Sequence, residues 1–194
     1  WVLNFDTKNT ALNYNGIAVP SLSCTGQWIW GAVPELSIPS LALETNTGKI
    51  TGSLELKGDA PTLYTNLEGG SNLSELFDFI ETDLLVNPMG FWKGDNISLT
   101  QGFRSWEDFT PVGNPIFKGD ISFFEGAFAL ASSNISFEKV EAELGIDGRN
   151  IQIDRCFLQS GENTAVVTGT IYNALEADGY PKVVLSLESP TISI

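Results

Sequence analysis

Glycoside hydrolysis needs only two carboxylates held at a fixed separation, and the chain carries several close pairs. Glu138 with Glu141, Glu141 with Glu143, and Glu107 with Asp108 are the candidates. In an acidic chain patterned for β structure, the same residues also form the wet half of an alternating strand. The chain has no histidine, which removes Ser-His and Cys-His nucleophile pairs, imidazole proton transfer and most zinc or copper sites. Any enzyme reading therefore rests on carboxylates alone. The reading favoured here is a protein that is not an enzyme, with no catalytic residue, no metal site and no cofactor.

Other chemistry-bearing stretches have plainer explanations. "DGRNIQID", Asp147 to Asp154, and the pair Asp95 and Asn96 offer oxygen ligands but lack the dense spacing of a calcium loop. Turn chemistry accounts for both. "GQWIWG" puts Trp28 and Trp30 on the same strand face, a spacing that suits a sugar-stacking platform and equally a core. Lys-Gly-Asp occurs at Lys57, Lys93 and Lys118, where a glycine between solvated charges suits a hairpin tip or the start of a strand. A receptor-adhesion motif is its functional alternative. Asn72, Asn96 and Asn134 head Asn-x-Ser sequons, which matter only in a eukaryotic secretory protein. Cys24 and Cys156 either close a loop of about 130 residues as a disulfide or remain two small buried thiols. A disulfide would suit an oxidising envelope or exterior.

The elements that must position these residues are mostly strands. "GKITGSLELKG" sets Ile50, Leu54 and Leu56 on one side and Thr51, Ser53 and Glu55 on the other. "NIQIDRC", "AVVTGTI" and "KVVLSLE" alternate in the same way, and turn-forming clusters recur roughly every ten residues, the rhythm of an antiparallel meander. One stretch departs from this. In "SNLSELFDFIETDLL", Leu73, Leu76, Phe77, Ile80 and Leu84 share a helical face, Asn72 and Glu75 fit a capping box, and "NPMG" at 87–90 stops the element. The spacing predicts one short amphipathic helix over about residues 72–85, packed on the sheet.

An internal echo relates residues 38–70 to 153–190. Thr51-Gly52 falls on Thr168-Gly169, Pro61 on Pro181, and Leu67-Glu68 on Leu187-Glu188. The fold expected is mainly β: an antiparallel meander forming a curved, groove-like or two-layer sheet. Residues 1–194 then make a single β-rich domain or a fragment of a longer repeat-like protein.

Composition narrows the partners. With 42% apolar residues, 12 Phe and 5 Trp, the chain has the means to fold. Its net charge of −14 repels nucleic-acid phosphates and anionic headgroups, so no nucleic acid is expected as a partner. No run of about 18 apolar residues exists and "WVLNFDTKNT" lacks the features of a signal peptide, so any membrane contact is expected through regions outside this chain. Beginning at Trp1 and stopping in "TISI", the chain reads as processed or excised.

The strand around "GKITGSL", the stretch "FKGDISFFEGAF" at 117–128, and "FEKVEAELGIDGRNIQIDRCFLQSGENTAVVTGTI" at 137–171 together resemble the AsmA-like family of bacterial envelope proteins, related to TamB. The matching segments are Phe137 to Leu144, Gly148 to Ile153, Leu158 to Ser160 and Val167 to Ile171, and "SNLSELFDFI" is similar to a short family helix. The family's amino-terminal membrane helix and great length are not found here. What the resemblance implies is a long antiparallel sheet curled into an apolar groove that conducts phospholipid between inner and outer membranes or serves outer-membrane assembly. It also implies a periplasmic location and inner-membrane anchoring of the full-length protein.

Physical chemistry suits that role. An acyl chain gains roughly 0.8 kcal/mol per CH₂ removed from water, so two long chains on an apolar surface recover on the order of 20 kcal/mol without a reactive group. The groove-lining candidates are Ile50, Leu54, Leu56, Ile151, Ile153, Val167, Ile171, Val183, Leu185 and Leu187. A closed two-layer core would use the same alternation. An extracellular carbohydrate-binding β-sandwich using Trp28, Trp30 or Trp92 is the alternative function.

Overall fold

The computed structural model describes residues 1–14, 17–79, 85–131, 133, 135–175 and 180–191. It is mainly β, as the alternation predicts. Five strands come first: β1 (Val2–Tyr14), β2 (Ile17–Ile29), β3 (Glu35–Glu44), β4 (Lys49–Lys57) and β5 (Thr62–Asn72). A single described helix, α1 (Leu73–Phe79), is followed by β6 (Leu85–Phe103) and β7 (Pro111–Leu130). The remaining strands are β8 (Ser136–Gly148), β9 (Asn150–Ser160), β10 (Asn163–Tyr172) and β11 (Lys182–Thr191). All eleven belong to one sheet, ordered β1 to β11 as in the chain. The described residues form no second sheet, and the eleven strands make one antiparallel meander.

Within this connectivity the chain divides into two compact units, one of residues 1–69 with 95–119 and the other of 70–94 with 120–194. The dividing points fall at Gly69, Gly94 and Gly119, on three consecutive strands. Two of the three Lys-Gly-Asp repeats fall at these points. Gly58 sits in the turn after β4, with φ 106°, as expected, but Gly94 is buried inside β6 and Gly119 lies inside β7. A Cβ at Gly119 would stand 2.8 Å from the Asn96 carbonyl oxygen, so glycine is needed there for close strand approach rather than for a turn.

The helix is shorter in the described residues than the predicted 72–85. Ile80 and Leu84 of the predicted apolar face lie outside them. Leu73 anchors the helix, only 3% exposed, and a Cβ at Gly126 of β7 would meet its Cδ1 at 3.6 Å. The "NPMG" stretch is not a helix stop but part of β6. Asn87 takes a positive φ of 51°, which Asn tolerates, and Gly90 has φ 104° where a Cβ would stand 2.6 Å from the Glu125 carbonyl oxygen. These residues shape irregular β backbone against β7 instead of ending a helix.

The internal echo has structural counterparts. The ladder of β3 with β4 slips between Ile38 and Leu41, and that of β9 with β10 slips between Ile153 and Cys156. The other neighbours, β2 and β8, show slips at the same places. The extra residue therefore belongs to β3 near Pro39 and to β9 near Asp154, a bulge being where a strand accepts proline. Gly52 and Gly169, matched in the echo, have φ 158° and 140°. A Cβ at either would lie 2.0 Å from the Asn66 oxygen or 2.2 Å from the Val184 oxygen, respectively.

Candidate apolar faces

Cross-strand partners in an antiparallel sheet share a face, so the registers show which side chains stand together. In the first unit, Leu3, Trp28, Leu36 and Leu56 form one row across β1 to β4. Thr7, Cys24, Leu41 and Gly52 form another, and Leu22, Leu43 and Ile50 a third. Ile38 stands opposite Leu54. The predicted residues Ile50, Leu54 and Leu56 thus share one face with apolar partners, while Thr51, Ser53 and Glu55 take the other.

The second unit repeats the arrangement. Ile146, Ile151, Ile171 and Val183 make a row across β8 to β11, and Leu144, Ile153, Gly169 and Leu185 make the next. Ala142, Cys156, Val167 and Leu187 follow, then Val140, Leu158 and Ala165. All seven predicted residues of this unit, Ile151, Ile153, Val167, Ile171, Val183, Leu185 and Leu187, share this face. Opposite it, Glu143 faces Arg155, Thr168 faces Ser186, and the Thr170 hydroxyl donates to Gln152 Oε1 at 2.6 Å.

These faces are only partly covered. Among the described apolar side chains, Leu56, Leu73, Val140 and Ala142 are buried. Ile50, Leu54, Ile151, Ile153, Val167 and Ile171 are half-buried. Val183, Leu185 and Leu187 are 54%, 48% and 65% exposed. Leu73 of α1 and Val140 of β8 both border the space beside Gly126.

Sequence reasoning missed most of the first face and about half of the second. Val140, Ala142, Leu144 and Ile146 alternate openly within "KVEAELGID" and were legible there. Leu36, Ile38, Leu41 and Leu43 were hidden because the bulge near Pro39 switches the phase of alternation inside β3.

The remaining candidates find structural roles. Trp28 stacks on Trp30, centroids 4.8 Å apart at 21°, and lies 6.0 Å from Trp106. Trp106 Nε1 donates to the Gly58 carbonyl at 2.8 Å, and Trp92 Nε1 donates to Ser71 Oγ at 2.9 Å. Trp28, Trp30 and Trp106 thus pack on one another. Both cysteines are free thiols, each on the apolar face of its own unit. Thr7 Oγ1 is 3.3 Å from Cys24 Sγ, and burial pushes the Cys156 thiol up from its ordinary range.

The carboxylates belong to the polar surface. Glu141 pairs with Lys139 at 2.9 Å, and Glu125, Glu141, Glu143 and Arg155 line a depression of about 300 Å³. In the loop between β6 and β7, the hydroxyl and backbone N–H of Thr110, with Arg104 beside them, hold Asp108 below the usual carboxylate range. That shift is opposite to what a general acid requires. Asp147 faces Asn150 across a tight turn in which Gly148 has φ 66°, which accounts for "DGRN" without a cation. Among the described residues, no helix is long and apolar enough to cross a membrane. No family model, no curated protein and no solved structure matches the chain.

Proposed function

We propose that this chain is a non-enzymatic module of the bacterial cell envelope that holds phospholipid acyl chains against the apolar faces of its sheet, in lipid transport between membranes or in outer-membrane assembly. The observation that carries this reading is a registered apolar face in each unit, most of whose side chains stay half-buried or exposed while Leu56, Val140 and Ala142 are buried. A folded β domain ordinarily covers such a face with a second layer. An acyl chain supplies the missing cover and contributes roughly 0.8 kcal/mol per CH₂. The polar face and the net charge of −14 keep the sheet in water without competing for the apolar side. The resemblance to AsmA-like proteins supplies the compartment and the lipid class.

The test is mass spectrometry of organic extracts from the purified chain, with a photo-crosslinkable phospholipid supplied in cells. Phospholipid is expected in the extract and on the protein. Absence of both extractable lipid and crosslink would refute the reading.

A further inference from the structure

No charged residue stands between Lys8 and Glu35, in a chain that carries 24 Asp plus Glu. Within that span the connection from β2 to β3 reads Trp30-Gly31-Ala32-Val33-Pro34, and its only polar side-chain group is the Trp30 indole N–H. The first four of these residues are exposed, Trp30 at 51% and Val33 at 47%. Connections ordinarily carry polar side chains, because their tips stay in water. A consecutive exposed apolar run departs from that rule and marks a contact surface.

Aromatic rings gather behind this connection. Trp30 stacks on Trp28, Trp28 lies 6.0 Å from Trp106, and Trp106 and Phe103 both meet Phe109 edge-on, at 6.2 and 5.4 Å. Trp106 and Phe109 come from the β6–β7 loop, where Phe109 is 47% exposed and Arg104 is neutralised by Asp108 at 2.8 Å. Trp28 belongs to the row of Leu3, Leu36 and Leu56, so the cluster stands at one end of the first unit's apolar face.

We propose that this end of the first unit docks on a zwitterionic phospholipid bilayer, with Trp30, Val33 and Phe109 seated among the headgroups and upper acyl chains. Amphipathic indole rings favour that depth. A polypeptide or sugar partner is oriented by directional polar groups, of which residues 30–34 offer one side-chain donor, whereas a bilayer interface requires none. The net charge of −14 selects against anionic lipid, and the charge-free connection suits an uncharged surface. This contact lies within the chain itself and does not depend on lipid being held along the apolar faces.

Flotation of the chain with intact phosphatidylcholine vesicles tests the proposal, and its failure would leave the lipid reading standing, since that reading is scored on extracted lipid. The unaltered chain is expected to float, and less of it when phosphatidylglycerol is added at low salt. Val33→Asp and Ala32→Asp each place a carboxylate on the exposed connection and should weaken binding about tenfold or more. Near-ultraviolet circular dichroism of both variants should match the unaltered chain, as should the phospholipid extracted with them. Absence of flotation, equal flotation of the folded variants, or stronger flotation with phosphatidylglycerol would each overturn the proposal. So would sedimentation showing a dimer that Val33→Asp dissociates, since a second copy would then cover the connection.

Discussion

Gly169 holds a backbone conformation, φ 140°, that a side chain would oppose twice: by torsional strain and by a Cβ 2.2 Å from the Val184 carbonyl oxygen. Gly169→Ala should cost about 2 kcal/mol or more in denaturant unfolding. Gly161→Ala has nothing within 4 Å and only its φ of 58° to oppose it, so about 1 kcal/mol is expected. Equal costs at the two sites would refute the close-approach role. In the β6–β7 loop, Thr110 holds Asp108 ionised below the unfolded carboxylate range. Because the folded value is depressed, this contribution is present above the unfolded value and is lost as pH falls through the folded one. Thr110→Val should move the Asp108 titration, followed by carboxyl ¹³C shifts, back up toward its ordinary position; an unmoved titration would contradict the assignment. Cys156, raised by burial, should react with iodoacetamide at pH 8 more slowly than a free thiol. Because it lies on the second apolar face, bound phospholipid should slow it further.

Among the elements, α1 depends most on a single side chain. Leu73→Ala empties the buried space that Leu73 fills beside Gly126 and should cost about 2–4 kcal/mol, with loss of helical amide protection in hydrogen exchange. Retained protection would mean that other residues dock the helix. How far such elements can be read from sequence depends on whether the chain keeps its period. β4, β10 and β11 yielded eight of the predicted lining residues, and Ile151 and Ile153 come from β9 before its bulge. β3 alternates on both sides of Pro39 but in opposite phase, so its apolar residues do not line up by counting. Asn-Pro-Met-Gly carries the residues of a helix stop, and those same residues serve irregular strand backbone. Local chemistry does not separate the two, because the choice depends on a partner strand more than thirty residues away.

For the whole molecule, the central claim is that each unit presents a wet face and an apolar face whose cover is lipid. Neither face was fully visible in the sequence, since a face is a property of register between strands. The most direct measurement is a photo-crosslinking scan in cells, with an unnatural photoreactive residue placed in turn at Val183, Val184, Leu185, Ser186 and Leu187, and lipid adducts read by mass spectrometry. The account predicts strong adducts at Val183, Leu185 and Leu187 and weak ones at Val184 and Ser186, a period of two along β11. Equal adducts at every position, or a pattern favouring Val184 and Ser186, would contradict it.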